Sequence, residues 1–139
     1  WPALVQRIEA ARRPLELLLL GGGAAGVELA LAIAHRARAA GWTSLRVSLA
    51  DADELPLRGA PMGARLRLKS VLAEHRVRWL GQHRATHLAE GLLHVEQADP
   101  VAFDVCLVVT GAAAPAWCTR RCWRTTPTCA VTRPTCVAR

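Results

Sequence analysis

Residues Leu17 to Glu28 read Leu-Leu-Leu-Leu-Gly-Gly-Gly-Ala-Ala-Gly-Val-Glu, an apolar run that leads into Gly21-x-Gly23-x-x-Gly26 and then into a helical pattern. An uninterrupted leucine run of this length suits a strand buried in a parallel sheet. Glycines at this spacing suit a dinucleotide-binding turn. Gly21 permits the tight turn, Gly23 lets backbone approach a pyrophosphate, and Gly26 lets the helix pack close to the strand. Gly22, Ala24 and Ala25 complete the turn, and the helix start offers free N–H groups and a partial positive charge to phosphates. The same spacing also serves plain strand-to-helix connectors. The flanks therefore decide the reading.

Beyond Gly26 the alanine- and leucine-rich segment predicts a helix that runs to Ala40 and stops at Gly41. Leu45 to Ala50 alternates apolar and polar residues as a strand does, and Asp51 ends it. An acidic residue at the tip of the second strand of such a unit hydrogen-bonds the adenosine ribose, roughly 20 residues past the glycines. Asp51 lies 25 residues past Gly26, which leaves room for a full helix and a short loop. Its alternative is a solvated turn residue beside Asp53 and Glu54. A carboxylate there repels the extra phosphate of NADP and favours NAD, while Arg58 and Arg65 nearby keep NADP open.

A chain of 139 residues is one domain's worth. Its 52% hydrophobic content is ample for a core, and no run approaches the roughly 20 apolar residues of a membrane helix. Arg12 to Leu20 imitates a secretory signal, but Glu16 and the short run fit a buried strand better. The chain opens on Trp1 rather than methionine, so it is expected to be a piece of something longer. The net charge of +7 is unevenly placed: five of the 18 basic residues fall in the last 22, and no Asp or Glu follows Asp104. What remains, 13 bases against 11 acids, is nearly neutral, without the aromatic platforms or repeating basic face of a nucleic-acid site.

Ahead of the leucine run, Ala3 to Ala11 has helical spacing with Leu4, Ile8 and Ala11 on one face. Glu54 to Gly63 reads as a loop by its Pro and Gly content. A helix is predicted from Ala64 to Glu74, with Ala64, Leu68, Val71 and Leu72 inward and Arg65, Arg67 and Lys69 outward. Val77 to Leu80 reads as a third strand. Ala85–Ala89 and Leu92–Glu96 read as short strands around a Glu90-Gly91 hairpin turn, and Phe103 to Val109 as an apolar strand buried on both faces, ending at Thr110-Gly111. The order is βαβαβ, a β meander and a last parallel strand. His35, His75, His83, His87 and His94 show no metal-ligand spacing.

With these elements placed, the chain resembles the NAD(P)H-binding domain of the FAD-dependent pyridine nucleotide-disulfide oxidoreductases. Within that group it is similar to the NADH dehydrogenase-like flavoprotein module found alone or fused to selenide, water dikinase. Gly21 to Ala30, the strand end Val47 to Asp51, the meander, and Val108 to Pro115 carry the resemblance, which covers roughly residues 1–117. It implies a Rossmann-like α/β fold of three layers, ββα, with a parallel sheet and a small antiparallel meander. It also implies hydride transfer from NAD(P)H to an FAD bound by the FAD domain of the parent protein, so that this chain alone is expected to be inactive. By the same resemblance Gly21, Gly23 and Gly26 hold the pyrophosphate, and Asp51 binds the ribose. Glu28 lies near the nicotinamide, and Thr110-Gly111 forms the turn where strand end meets dinucleotide. Taken by themselves, Glu28 favours a helix start and Thr110-Gly111 is a glycine turn after a strand. A cytoplasmic location is implied, with a membrane-peripheral parent as the alternative. A non-catalytic NAD(H)-binding regulatory module is the competing function.

From Cys118 onward the composition changes to Cys, Thr, Arg, Trp and Pro, with Cys118, Cys122, Cys129 and Cys136 too widely spaced for the close pairs that nucleate a zinc site. Such residues are what a GC-rich gene yields in a shifted frame. Residues 118–139 are therefore read as an aberrant basic tail, expected to be disordered, separate from the 1–117 domain.

Overall fold

The computed structural model describes residues 2–11, 13–96 and 98–111. Its centre is strand β1 (Leu15–Leu20), paired in parallel with β2 (Leu45–Ala50) on one side and β7 (Val105–Val108) on the other. Strand β3 (Val77–Leu80) pairs with β2, which gives the order β3-β2-β1-β7. Parallel neighbours need crossovers. Helix α2 (Ala24–Ala39) joins β1 to β2, and α3 (Met62–Glu74) joins β2 to β3.

Side chains alternate across β1 and so feed two cores. Leu17 and Leu19 face the helical layer, where they pack with Val27, Ala30 and Ile33 of α2, Leu72 of α3 and Ile8 of α1 (Pro2–Glu9). Leu18 faces the other way, onto Ala50, Leu80 and Leu93. Leu93 belongs to an antiparallel sheet of β4 (Ala85–Ala89), β5 (Leu92–Val95) and β6 (Val101–Ala102), which covers that face. The result is three layers, with the meander, the parallel sheet and the helices stacked in that order. Glu16 is tolerated in the central strand because Arg46, its register partner on β2, meets it at 3.2 Å.

Local signals explain the boundaries. Helix α2 ends where Gly41 takes φ of +70°. Trp42 N–H donates to Ala37 O at 2.9 Å and Gly41 N–H to Arg38 O at 3.2 Å, the paired bonds of a Schellman cap. Trp42 then packs against the helical core. Glu90 and Gly91 both have positive φ, as a two-residue type I′ hairpin turn requires. The hairpin places His87 opposite His94 with stacked rings 4.2 Å apart, a pairing across strands that spacing along the chain does not reveal.

Several expectations need correction. Strand β7 is shorter than Phe103–Val109 and is not buried on both faces: among the described residues it pairs only with β1, its residues Val105 to Leu107 are half-buried, and Val108 is 57% exposed. Apolar content records what a strand is made of, not what packs over its faces. Ala64 is exposed, whereas Arg65, expected outward, is half-buried because its guanidinium caps carbonyls of the preceding loop. The meander also has a third strand, β6, too short to leave a periodic pattern. Among the described residues no helix is long and apolar enough to cross a membrane. The tail from residue 112, with its four cysteines, lies outside the described residues.

Candidate functional site

The chain leaves β1 at the point where the sheet order reverses: β2 and β3 follow on one side, β7 on the other. In open α/β sheets, ligands bind at such a crevice beyond the carboxyl ends of the strands. Gly21 sits there with φ of +120° and donates its N–H to Ala50 O at 2.8 Å. A Cβ at Gly21 would lie 2.8 Å from Val109 O and 2.9 Å from Thr110 N. Both backbone angle and space therefore demand glycine. A Cβ at Gly26 would approach Gly21 O to 1.8 Å, so the helix can press this closely on the strand end only without a side chain.

Gly23 differs. It is the N-cap of α2 with extended backbone, it offers no side-chain cap, and a Cβ would meet nothing within 4 Å. The first bond of the helix runs from Val27 N–H to Gly23 O at 3.0 Å. Among the described residues the N–H groups of Gly23, Ala24 and Ala25 have no acceptor, and all three residues are exposed. These donors lie at the positive end of a helix of 16 residues, where the partial charge favours an anion.

Asp51 follows β2 and its carboxylate reaches into the turn. Oδ2 accepts the Gly22 N–H at 2.5 Å and Oδ1 accepts the Asp53 N–H at 2.9 Å. The backbone of Asp51 is held by β3 and its extension, through Asp51 N–H to Leu80 O at 3.0 Å and His83 N–H to Asp51 O at 2.8 Å. Asp51 thus ties the glycine turn to the second strand. A carboxylate oxygen accepts more than one bond, so this arrangement leaves acceptor capacity for a hydroxyl.

Gly21, Gly22, Gly26, Asp51 and Thr110 therefore meet at one end of the sheet, with Gly23, Ala24 and Ala25 presenting donors above them. Glu28 is exposed on α2, one turn beyond Ala24. Gly111 has neither positive φ nor a neighbour within 4 Å of a Cβ position, so the described residues impose no demand for glycine there. Of the two arginines near Asp51, Arg65 is committed to the loop, donating to Leu55 O at 2.7 Å and Pro56 O at 3.1 Å. Arg58 is 87% exposed and lies 3.8 Å from Asp53. Two residues outside the motif complete the site. Leu57 donates its N–H to Gly22 O at 2.8 Å, and the Trp79 indole lies beneath Gly22. A glycine at the variable position of Gly-x-Gly is the one sequence sign that something bulky fills its side-chain space.

Two hollows among the described residues lie at the other end of the sheet. One of about 410 Å³ is lined by Ala37, Arg38, Trp42 and His75, and one of about 500 Å³ by Arg7, Arg13 and Asp104. Both border the amino ends of the strands. Among the described residues no group of three or more His, Cys, Asp or Glu is placed to hold a metal.

No protein-family profile matches this sequence, and no curated protein matches it. Solved structures do. The HOCl-induced flavoprotein disulfide reductase RclA from Escherichia coli is 24% identical with a TM-score of 0.55, over 70% of this chain and 22% of its own. The ferredoxin reductase for the CYP199A2 system from Rhodopseudomonas palustris is 16% identical at TM-score 0.63, over 79% and 26%. NDH2 from Plasmodium falciparum, solved in complex with NADH, is 12% identical at TM-score 0.64, over 75% and 24%. The chain thus spans about a quarter of the length of these proteins or less. At such identities the likeness establishes the fold, and this chain has the Rossmann-like architecture of one segment of these longer proteins.

Proposed function

We propose that the chain is the NAD(P)H-binding module of an FAD-dependent pyridine nucleotide-disulfide oxidoreductase, which delivers hydride from NAD(P)H to FAD held by another part of the parent protein. The observation that carries this reading is the glycine turn at the sheet's reversal point, with the Gly23, Ala24 and Ala25 N–H groups free and Asp51 beside it. In this reading the three N–H groups bind the pyrophosphate. Gly22 does not, because its N–H is given to Asp51. Asp51 accepts from the adenosine ribose with its remaining lone pairs and disfavours a 2′-phosphate. Glu28 and Thr110-Gly111 face the nicotinamide half. In this reading the one glycine turn among the described residues takes the nicotinamide nucleotide. FAD would supply the electron acceptor when bound elsewhere in the parent. The role of this chain is to bind and orient the donor.

We assign residues 1–117 to this module and 118–139 to a shifted reading frame, which the genomic DNA on both sides tests. Cytoplasmic location belongs to the same proposal. Calorimetric titration of the folded chain with NADH and NADPH tests the function. Saturable binding, tighter for NADH, is expected. Folded protein that binds neither nucleotide would remove the proposal.

A further inference from the structure

Trp79 has no place in the glycine motif, yet its ring lies against Gly22 and its N–H reaches the loop that follows Asp51. A Cβ on Gly22 would lie 2.5 Å from Trp79 Cη2 and 2.9 Å from Cζ3, so the indole occupies the space that a side chain at position 22 would take. Its Nε1–H donates to Glu54 O at 2.8 Å, in the loop that follows Asp51. Gly81 is shaped around the same contact: a Cβ there would lie 2.6 Å from both Trp79 Nε1 and Glu54 O. The loop is closed around the ring by Gln82 N–H to Asp53 O at 3.1 Å and Leu57 N–H to Gly22 O at 2.8 Å.

The geometry points to Trp79 as a positioning residue: we infer that its indole fixes Gly22 and the 51–57 loop together, setting the pyrophosphate turn against the Asp51 carboxylate in the adenosine half of the site. The carboxylate bridges Gly22 N–H and Asp53 N–H. Both ends of that bridge rest on the indole, one by packing and one through the Glu54 carbonyl. A rigid aromatic with a single donor suits this task, since it orders two backbone segments at little rotamer cost. The nucleotide part of the inference rests on the proposed function; the ordering of the turn does not.

Amide hydrogen exchange in the full chain separates the two. In W79A the Gly22 and Asp53 amides are expected to exchange about tenfold faster than in the wild type, corresponding to loss of roughly one well-made hydrogen bond, while the Leu17 to Leu19 amides keep their protection. Trp79→3-benzothienylalanine keeps the fused ring under Gly22 and replaces only the N–H, by sulfur. It is expected to speed Asp53 and leave Gly22 protected, and it decides the question if W79A does not fold. G22A is expected to lower the thermal midpoint in the wild-type background and to lower it less in W79A, because the clash with the ring is then gone and only the 3.0 Å approach to Asp51 Cβ remains. NADH affinity is expected to fall about tenfold in W79A at a temperature where the protein is fully folded. Unchanged Asp53 exchange in both variants, or acceleration that only follows Leu17 to Leu19, would overturn the inference. So would unchanged NADH affinity in W79A. A wild type that binds no nucleotide removes the functional proposal, and the exchange data then decide alone whether Trp79 holds the turn.

Discussion

The carbonyl oxygen of Gly21 lies 1.8 Å from where a Cβ of Gly26 would stand, so one glycine of the turn is fitted directly against another. The clash is with backbone, which no rotamer change relieves. G26A is expected to cost about 3 kcal/mol of stability, the upper part of the range for overpacking, as read by chemical denaturation.

Gly23 provides the contrast within the same motif. A Cβ there meets nothing in the protein within 4 Å. G23A is expected to keep the fold, with a loss of about 1 kcal/mol or less from a poorer N-cap. It should still weaken NADH binding, because the methyl stands where phosphate would approach. Denaturation and calorimetry on one sample separate the two effects.

How much of this was legible in the sequence follows from where each determinant resides. Gly41 closes α2 and Glu90-Gly91 closes the hairpin because left-handed backbone is a local demand, met by residues in place. The βαβ order was readable because crossover length and apolar runs are also local. The partial exposure of β7 depends on what packs over it, and Val105 to Val108 do not encode that. Arg65 carries the charge of a solvated face but finds two unpaired carbonyls at Leu55 and Pro56, nine or ten residues earlier. Trp79 lies 57 residues beyond Gly22, and only the sheet order β3-β2-β1 carries its side chain into the turn.

Asp51 serves structure as well as the proposed ligand. D51N keeps the shape but replaces one accepting oxygen by an NH2 group, which cannot accept from a backbone N–H. One of the Gly22 and Asp53 N–H groups then loses its partner, at about 1–3 kcal/mol. The ratio of NADPH to NADH affinity is expected to rise in the same variant, since the charge that opposes a 2′-phosphate is gone. Thermal melts and paired calorimetric titrations check both.

Asp104 links the start of β1 to the start of β7. Its carboxylate is held below the usual carboxylate range, first by the Arg13 guanidinium and then by the Glu16 N–H, which donates at 2.9 Å. Because the folded pKa lies below the unfolded value of about 3.9, the stabilisation is present above that value and is lost as pH falls through the folded pKa. Relative to D104N, the wild type should keep a constant advantage in thermal midpoint from pH 7 to about 5. The advantage should shrink below about 4.

Leu93 is 0% exposed in the smaller core, between the meander and Leu18 of β1. L93A is expected to cost about 2–5 kcal/mol by denaturation, as cavity-forming substitutions in well-packed cores do.

The central claim is that the Gly21 to Gly26 turn binds a nicotinamide dinucleotide. Titration of the 15N-labelled chain with NADH, followed through its backbone amide resonances, tests this residue by residue. The account predicts saturable shifts centred on Gly23, Ala24 and Ala25 and extending to Gly22 and Asp51. Saturable shifts confined to the far end of the strands, around Arg38, Trp42 and His75, would contradict it, as would a folded chain whose spectrum NADH leaves unchanged.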